Sequence, residues 1–296
     1  MLTPWLADST AKTQLEILNA CGDFDLLAAG TTWDADRIRN TRIAQPLIFA
    51  TSLVSAYAAM AGNAKPAAVT GHSVGEWCAA VVAGVLTATD AMALVAARGN
   101  AMSLACEEEP TGLCATLGGD RDEVTAAATA CGLALANDNG PGQLVFGGTR
   151  EQLDTFSAAP PAKARVRQLE VAGAFHTEAT HPAVAQVTEF AAGFPVNDAN
   201  IPLISNRDGA TVTNGREILD RLVDQIALPV RWDLVMDTLA AIDATEAIET
   251  CPSGTLSGIL RRNLKSVTTQ TVDTPADAQA LFTTDLRTNE LMGAQK

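Results

Sequence analysis

Apolar residues recur at spacings of three and four from Ala11 to Ala105, which predicts a mostly helical first third of the chain. One short apolar run, Ala67-Ala68-Val69-Thr70, interrupts this pattern and reads as a strand; helices are predicted from Trp77 to Leu86 and from Thr89 to Leu104. Between Gly112 and Val171 the texture changes. Cys114 to Leu117, Leu133 to Ala136, Gln143 to Phe146 and Val166 to Val171 read as strands, with helices at Arg121 to Ala130 and Arg150 to Ala158. That order, βαββαβ, is the ferredoxin-like arrangement, with Asn139-Gly140-Pro141-Gly142 as the turn between the middle strands. A small unit over residues 111–171 is therefore predicted to be inserted into a larger one made of residues 1–110 and 172–296. Beyond Val171 the larger unit resumes with helices at Ala183 to Ala192, Gly215 to Ile226 and Trp232 to Ile242. Strands at Ile201 to Ser205 and Ala247 to Glu249 alternate with them, an α/β pattern, and Gly293 to Lys296 reads as a frayed tail.

Composition narrows the function classes. With 296 residues, 47% of them hydrophobic, the chain can bury a sizeable core. A net charge of -14 repels phosphate backbones and anionic lipid, which argues against nucleic-acid or membrane-surface partners. The least polar run, Leu47 to Gly62, is interrupted by Thr51, Ser52, Ser55 and Tyr57 and falls short of a membrane span, so a soluble cytoplasmic protein is expected. Six cysteines without a C-x-x-C pair indicate buried thiols rather than a zinc site or a disulfide framework.

Chemistry concentrates at Gly71-His72-Ser73-Val74-Gly75-Glu76, where a serine lies between two glycines, after the predicted strand and before a helix. Such an elbow forces the serine into a strained turn, favours glycine at both flanks, and aims helix N-terminal N–H groups at an oxyanion formed there. The serine needs a base, and three histidines are available. His72 adjoins Ser73, where successive side chains diverge, so it reads as packing near the strand end; His181, before Pro182, reads as a surface or capping residue. His176 is the better candidate, because Gly173-Ala174-Phe175-His176-Thr177 lies where the chain re-enters the larger unit, and such junctions form clefts. A metal site from His176, Glu178 and His181 is weaker, since that spacing turns the two rings apart on a helix. Arg98 shares a predicted helix face with Leu94, Val95 and Met102 and so requires an anionic partner: either a buried salt bridge, for instance with Glu76, or a substrate carboxylate.

Gly71-His72-Ser73-Val74-Gly75-Glu76, Arg98-Gly99, Asn139-Gly140-Pro141-Gly142-Gln143 and Gly173-Ala174-Phe175-His176 together resemble the malonyl-CoA:acyl carrier protein transacylases, over about Leu2 to Leu264. The resemblance implies an α/β-hydrolase-like large subdomain with an inserted ferredoxin-like one and the active site between them. It implies Ser73 as nucleophile, His176 as base, Arg98 as the holder of the malonyl carboxylate, and Gln225 as the residue whose backbone carbonyl orients the histidine. Val74 is expected to donate to the oxyanion, and Phe175 to crowd an α-methyl and so favour malonyl over methylmalonyl. The implied reaction is ping-pong transfer of malonyl from malonyl-CoA to the phosphopantetheine thiol of an acyl carrier protein, for fatty acid or polyketide synthesis. No cofactor or metal is implied, and a monomer is expected.

Two expectations concern the departures from the family and its partner. The family begins with a strand and a glycine- and glutamine-rich loop that donates to the oxyanion. This sequence opens at Met1-Leu2-Thr3-Pro4-Trp5, so the native protein is expected to carry roughly 15 to 20 further residues, a strand and a loop. Without that loop the chain would be an impaired or noncatalytic carrier-protein-binding homologue; a serine thioesterase or esterase is the third reading. The acidic carrier protein is expected to dock on Arg261, Arg262 and Lys265 or on Lys163, Arg165 and Arg167.

Overall fold

In the computed structural model, which describes residues 1–61, 65–108 and 110–281, the strand before the serine is shorter than the apolar run suggests. Only Val69–Thr70 enters a ladder, pairing in parallel with Leu203–Ile204, which pairs on its other side, antiparallel, with Thr211–Val212. A separate parallel pair joins Glu246–Thr250 to Thr268–Val272. Helices enclose these strands. Thr41–Met60 is the core helix, started by the Asn40 side chain accepting from the Arg42 N–H, and packed against Ala88–Glu108 and Ser9–Asn19. It begins before the run Leu47 to Gly62 predicts, and by length and composition it suffices to cross a membrane; 67% of its apolar window is buried inside the fold. Its apolarity therefore reflects a helix enclosed on most sides. Gly62 and the tail Gly293 to Lys296 lie outside the described residues.

The inserted unit is ferredoxin-like. Its strands lie in the order Ala164–Gln168, Thr111–Gly118, Gln143–Thr149, Ala134–Asp138, all antiparallel. One face buries Cys114, Leu144 and Phe146 beneath the helices Arg121–Ala130 and Arg150–Ala158, through Val124, Ala128, Leu153 and Phe156. Both helices have strong starts: Asp120 accepts from two N–H groups of its own first turn, and Thr149 forms a capping box with Gln152. On the other face Leu113 and Val145 meet Ala136 and Ala174 at the junction with the large subdomain.

The edge strand ends at Gln168 rather than Val171. Leu169 and Val171 are apolar because they pack at that junction, not because they continue the ladder. A fifth strand, Val230–Arg231, comes from the large subdomain's part of the chain and pairs in parallel with Asn137 and Asp138. Arg121 bridges to the buried Asp138 and lies 3.8 Å from Asp233, so charges from both parts of the chain meet across this seam. The six cysteines are all free thiols, with Cys78, Cys114 and Cys251 buried and the others half-buried.

Candidate active site

Ser73 lies at φ 53°, in the left-handed region that a β-carbon disfavours, and is held there by the junction of strand and helix. A β-carbon on Gly71 would fall 2.1 Å from the carbonyl carbon of Gly75, so glycine alone lets the strand end meet the helix start. Gly75 differs from the expectation, since nothing lies within 4 Å of where its β-carbon would be. The helix Gly75–Val82 starts without a side-chain cap. The N–H groups of Gly75, Glu76 and Trp77 donate to the carbonyls of His72, Ser73 and Val74. The Val74 N–H has no partner among the described residues and is free to meet an anion.

His176 is the histidine that reaches the serine: Ser73 Oγ and His176 Nε2 are 2.7 Å apart. Its Nδ1 donates to the Gln225 backbone carbonyl over 2.7 Å, which leaves Nε2 as an acceptor for the serine hydroxyl. His176 is also at positive φ, 62°, with its N–H on the Ile226 carbonyl at 3.2 Å; Thr180 Oγ1 donates to the same carbonyl at 2.6 Å. The loop is thus fastened to the turn after the helix Gly215–Asp224, which Gln225 terminates. His176 is only 4% exposed, and burial, then the nearby Arg98 charge, pulls its pKa down to about 3. His72 instead pairs through Nε2 with Asn139 Oδ1 at 3.0 Å, beside the Trp232 ring, and burial lowers it to about 4. His181 is exposed at the start of the helix His181–Ala191, and no three metal-ligating side chains cluster among the described residues.

Arg98 is 1% exposed on Ala88–Glu108, which Gly99 allows to approach Thr41–Met60: a β-carbon there would lie 2.9 Å from the Thr41 carbonyl oxygen. The salt bridge with Glu76, one of the two alternatives for Arg98, is not formed among the described residues. Arg98 Nη1 donates to Gln45 Oε1, and Nη2 donates to Gln225 Oε1 at 2.9 Å and to Ser73 Oγ at 3.2 Å, while Nε has no partner. Gln225 stands between the two charges, its Nε2 donating to Glu76 Oε2 at 2.6 Å. Burial raises Glu76 to about 7, against the lowering effect of its hydrogen bonds. Burial lowers Arg98, and the Glu76 charge partly offsets this. A guanidinium beside the nucleophile, resting on amide oxygens rather than a carboxylate, has room in its charge balance for an incoming anion.

Sequence reasoning missed Gln45 and the Gln225 side chain. Their signal was a polar residue in a largely apolar helix and an amide at the end of an amphipathic one; that both face the same buried cation emerges only from the fold. Phe175, half-buried, packs against both the large core and the junction cluster, next to His176. An open groove of about 560 Å³ runs along the same junction, lined by Arg39, Asn40, Arg150, Leu169 and Ala172. The two predicted basic patches are linked across the small sheet through one residue of each. Arg165 lies opposite Leu117, Leu117 opposite Gln143, and Gln143 Oε1 accepts from Arg262 Nη2 at 2.8 Å.

Comparison with known proteins agrees with this geometry. The acyl transferase domain family matches residues 7–291. The malonyl CoA-acyl carrier protein transacylase of Mycobacterium tuberculosis is 44% identical over 286 residues, covering 95% of this chain and 94% of the relative; that of Bacillus subtilis is 32% identical over 276 residues, covering 91% and 84%. The crystal structure of MCAT from Mycobacterium tuberculosis superposes with a TM-score of 0.90 at 44% identity, covering 95% of this chain and 94% of that one. By sequence along nearly its whole length and by fold, the chain belongs to the malonyl CoA-acyl carrier protein transacylases of the acyl transferase domain family.

Proposed function

We propose that the chain transfers malonyl from malonyl-CoA to the phosphopantetheine thiol of an acyl carrier protein through a malonyl ester on Ser73. The reading is carried by one observation: a buried guanidinium without a carboxylate partner lies 3.2 Å from a serine hydroxyl that is itself 2.7 Å from a carbonyl-oriented histidine. His176 Nε2 takes the Ser73 proton as Oγ attacks the thioester carbonyl, and the resulting oxyanion is met by the Val74 N–H. The C–S bond breaks, CoA leaves with the proton from His176, and the carrier thiol reverses the steps, giving its proton to His176 and freeing Ser73.

Arg98 holds the malonyl carboxylate, with Gln45 and Gln225 keeping the guanidinium in place. This favours transfer over the thioesterase reading, because a hydrolase of simple acyl groups has no use for that cation. The ready dyad weighs against a noncatalytic binding role. Phe175 narrows the acyl site beside the base and disfavours an α-methyl. The carrier protein is assigned to the face of Arg165, Arg167, Leu117, Gln143 and Arg262, a local reversal of sign on a chain of net charge -14. The reaction as written needs no cofactor. All groups named belong to one chain, so a monomer suffices, and the cytoplasm is the assigned compartment.

The test is intact mass after brief mixing with malonyl-CoA, followed by addition of phosphopantetheinylated carrier protein. A malonyl adduct that disappears in Ser73→Ala and is discharged by the carrier supports the reading. An adduct that persists in Ser73→Ala, or is discharged to water as fast as to the carrier, overturns it.

A further inference from the structure

Glu76 is buried, ionisable and unused by the reaction above, yet it anchors a chain of hydrogen bonds that ends at the nucleophile. The Asn206 N–H donates to Glu76 Oε1 at 2.9 Å, and Gln225 Nε2 donates to Glu76 Oε2 at 2.6 Å. Gln225 Oε1 accepts from Arg98 Nη2 at 2.9 Å, and the same Nη2 donates to Ser73 Oγ at 3.2 Å. Asn206 is itself fixed to the elbow, its Nδ2 donating to the Gly71 carbonyl at 2.7 Å. Donors stand at both ends of this series, a backbone N–H and a guanidinium, and neither can act as an acceptor.

Between them lie two side chains, one of which, Gln225, carries one donor end and one acceptor end. All junctions are satisfied only if the other presents two acceptors, as a carboxylate does. An amide at position 76 would put two donors face to face at one junction, whichever way it or Gln225 turned.

We propose that Glu76 is a positioning residue for malonyl recognition: its carboxylate fixes the Gln225 amide with the oxygen toward Arg98 and serves as the clamp's counter-ion one amide removed. Distance is the point of the arrangement. A carboxylate in direct contact with Arg98 would occupy the guanidinium and compete with the malonyl group. No counter-charge at all would leave a buried cation uncompensated before substrate arrives. Through Gln225 the cation is compensated and still open. Because the Gln225 backbone carbonyl also orients His176, one residue holds both the base and the clamp, and Glu76 governs only the second through the side chain.

The inference rests on the proposed malonyl transfer, so the native chain is measured first. Acyl-enzyme formation is followed with malonyl-CoA and with acetyl-CoA for the native protein, Glu76→Gln, Gln225→Met and the double variant, with circular dichroism melting as a check of folding. The expected result is at least a tenfold fall in the malonyl-to-acetyl ratio of kcat/KM in Glu76→Gln, mostly as a higher KM for malonyl-CoA. The double variant should lose no more than the worse single variant, because both changes interrupt the same relay. A ratio unchanged in Glu76→Gln, or malonyl and acetyl activity falling in proportion, overturns the role of Glu76. Should Glu76→Gln not fold, Gln225→Met decides alone, an unchanged ratio overturning the relay. A native chain with no malonyl transfer overturns the functional reading itself, and the relay with it.

Discussion

If Arg98 holds the malonyl carboxylate as proposed, it makes substrate binding and serine activation a single electrostatic event. Its charge is one of the causes that hold His176 near pKa 3, so a malonyl carboxylate seated on the guanidinium should raise the basicity of the histidine at the moment a base is needed. Replacing Arg98 by methionine should therefore lower kcat/KM for malonyl-CoA by about a hundredfold, the loss of charged hydrogen bonds totalling roughly 3 kcal/mol, while the rate with acetyl-CoA holds or rises. Parallel single-turnover assays with the two thioesters check this. Acidity offers a second handle. Burial holds Glu76 at about 7, against the lowering effect of its hydrogen bonds and of the Arg221 charge, so it takes up a proton below that pH, whereas His176 stays neutral down to about pH 3. Malonyl preference should thus weaken from pH 7.5 to pH 5.5 with little change in acetyl transfer, measured as the ratio of kcat/KM at each pH. Ser73, His176 and Arg98 were legible because motif and charge marked them. Gln45 and the Gln225 side chain were not, since an uncharged amide on a helix carries no sign of which buried group it faces.

Among the elements, the elbow is where local geometry is most exacting. Gly71→Ala should unfold the strand–helix junction, with a loss of several kcal/mol in urea unfolding, because its β-carbon would fall 2.1 Å from backbone. Gly75→Ala meets open space at the first turn of a helix and should be neutral or stabilising by about 0.4–1 kcal/mol, though acyl transfer can still suffer if that space receives the thioester. The longer helices were easy to read from the chain, as their period runs over ten or more residues, whereas the predicted helix Trp77 to Leu86 spans only Gly75–Val82 and the six-residue Leu26–Thr31 gave no period. Strands of two residues, such as Thr211–Val212 and Val230–Arg231, are too short to show a period, and apolar Leu169 and Val171 extended a predicted strand past its end.

For the whole molecule, buried ionisable groups set the acid limit of stability. His72 and His176 are neutral when folded down to about 4 and 3, yet in the unfolded chain they bind protons below about 6.5, so each destabilises the fold as pH falls through that window. Glu76 acts oppositely: its folded pKa of about 7 exceeds its ordinary 4.5, so its contribution is lost as pH rises between those values. Two histidines outweigh one carboxylate. The urea midpoint should climb from pH 4.5 to pH 6.5, by on the order of 2 kcal/mol in stability, and then level off.

The strand Val230–Arg231, laid against Asn137 and Asp138 by a part of the chain that has already left the small sheet, bears on how such enzymes can be recombined. A module that looked separable at two cut points in fact has four, because a second segment of the chain belongs to its sheet. A chimaera that grafts only residues 111–171 from a relative would mate a foreign strand edge and a foreign Asp138 with the resident Val230 to Asp233. Grafts that carry this second segment along should fold and keep the spacing between nucleophile and base; grafts that leave it behind should be the ones that lose both.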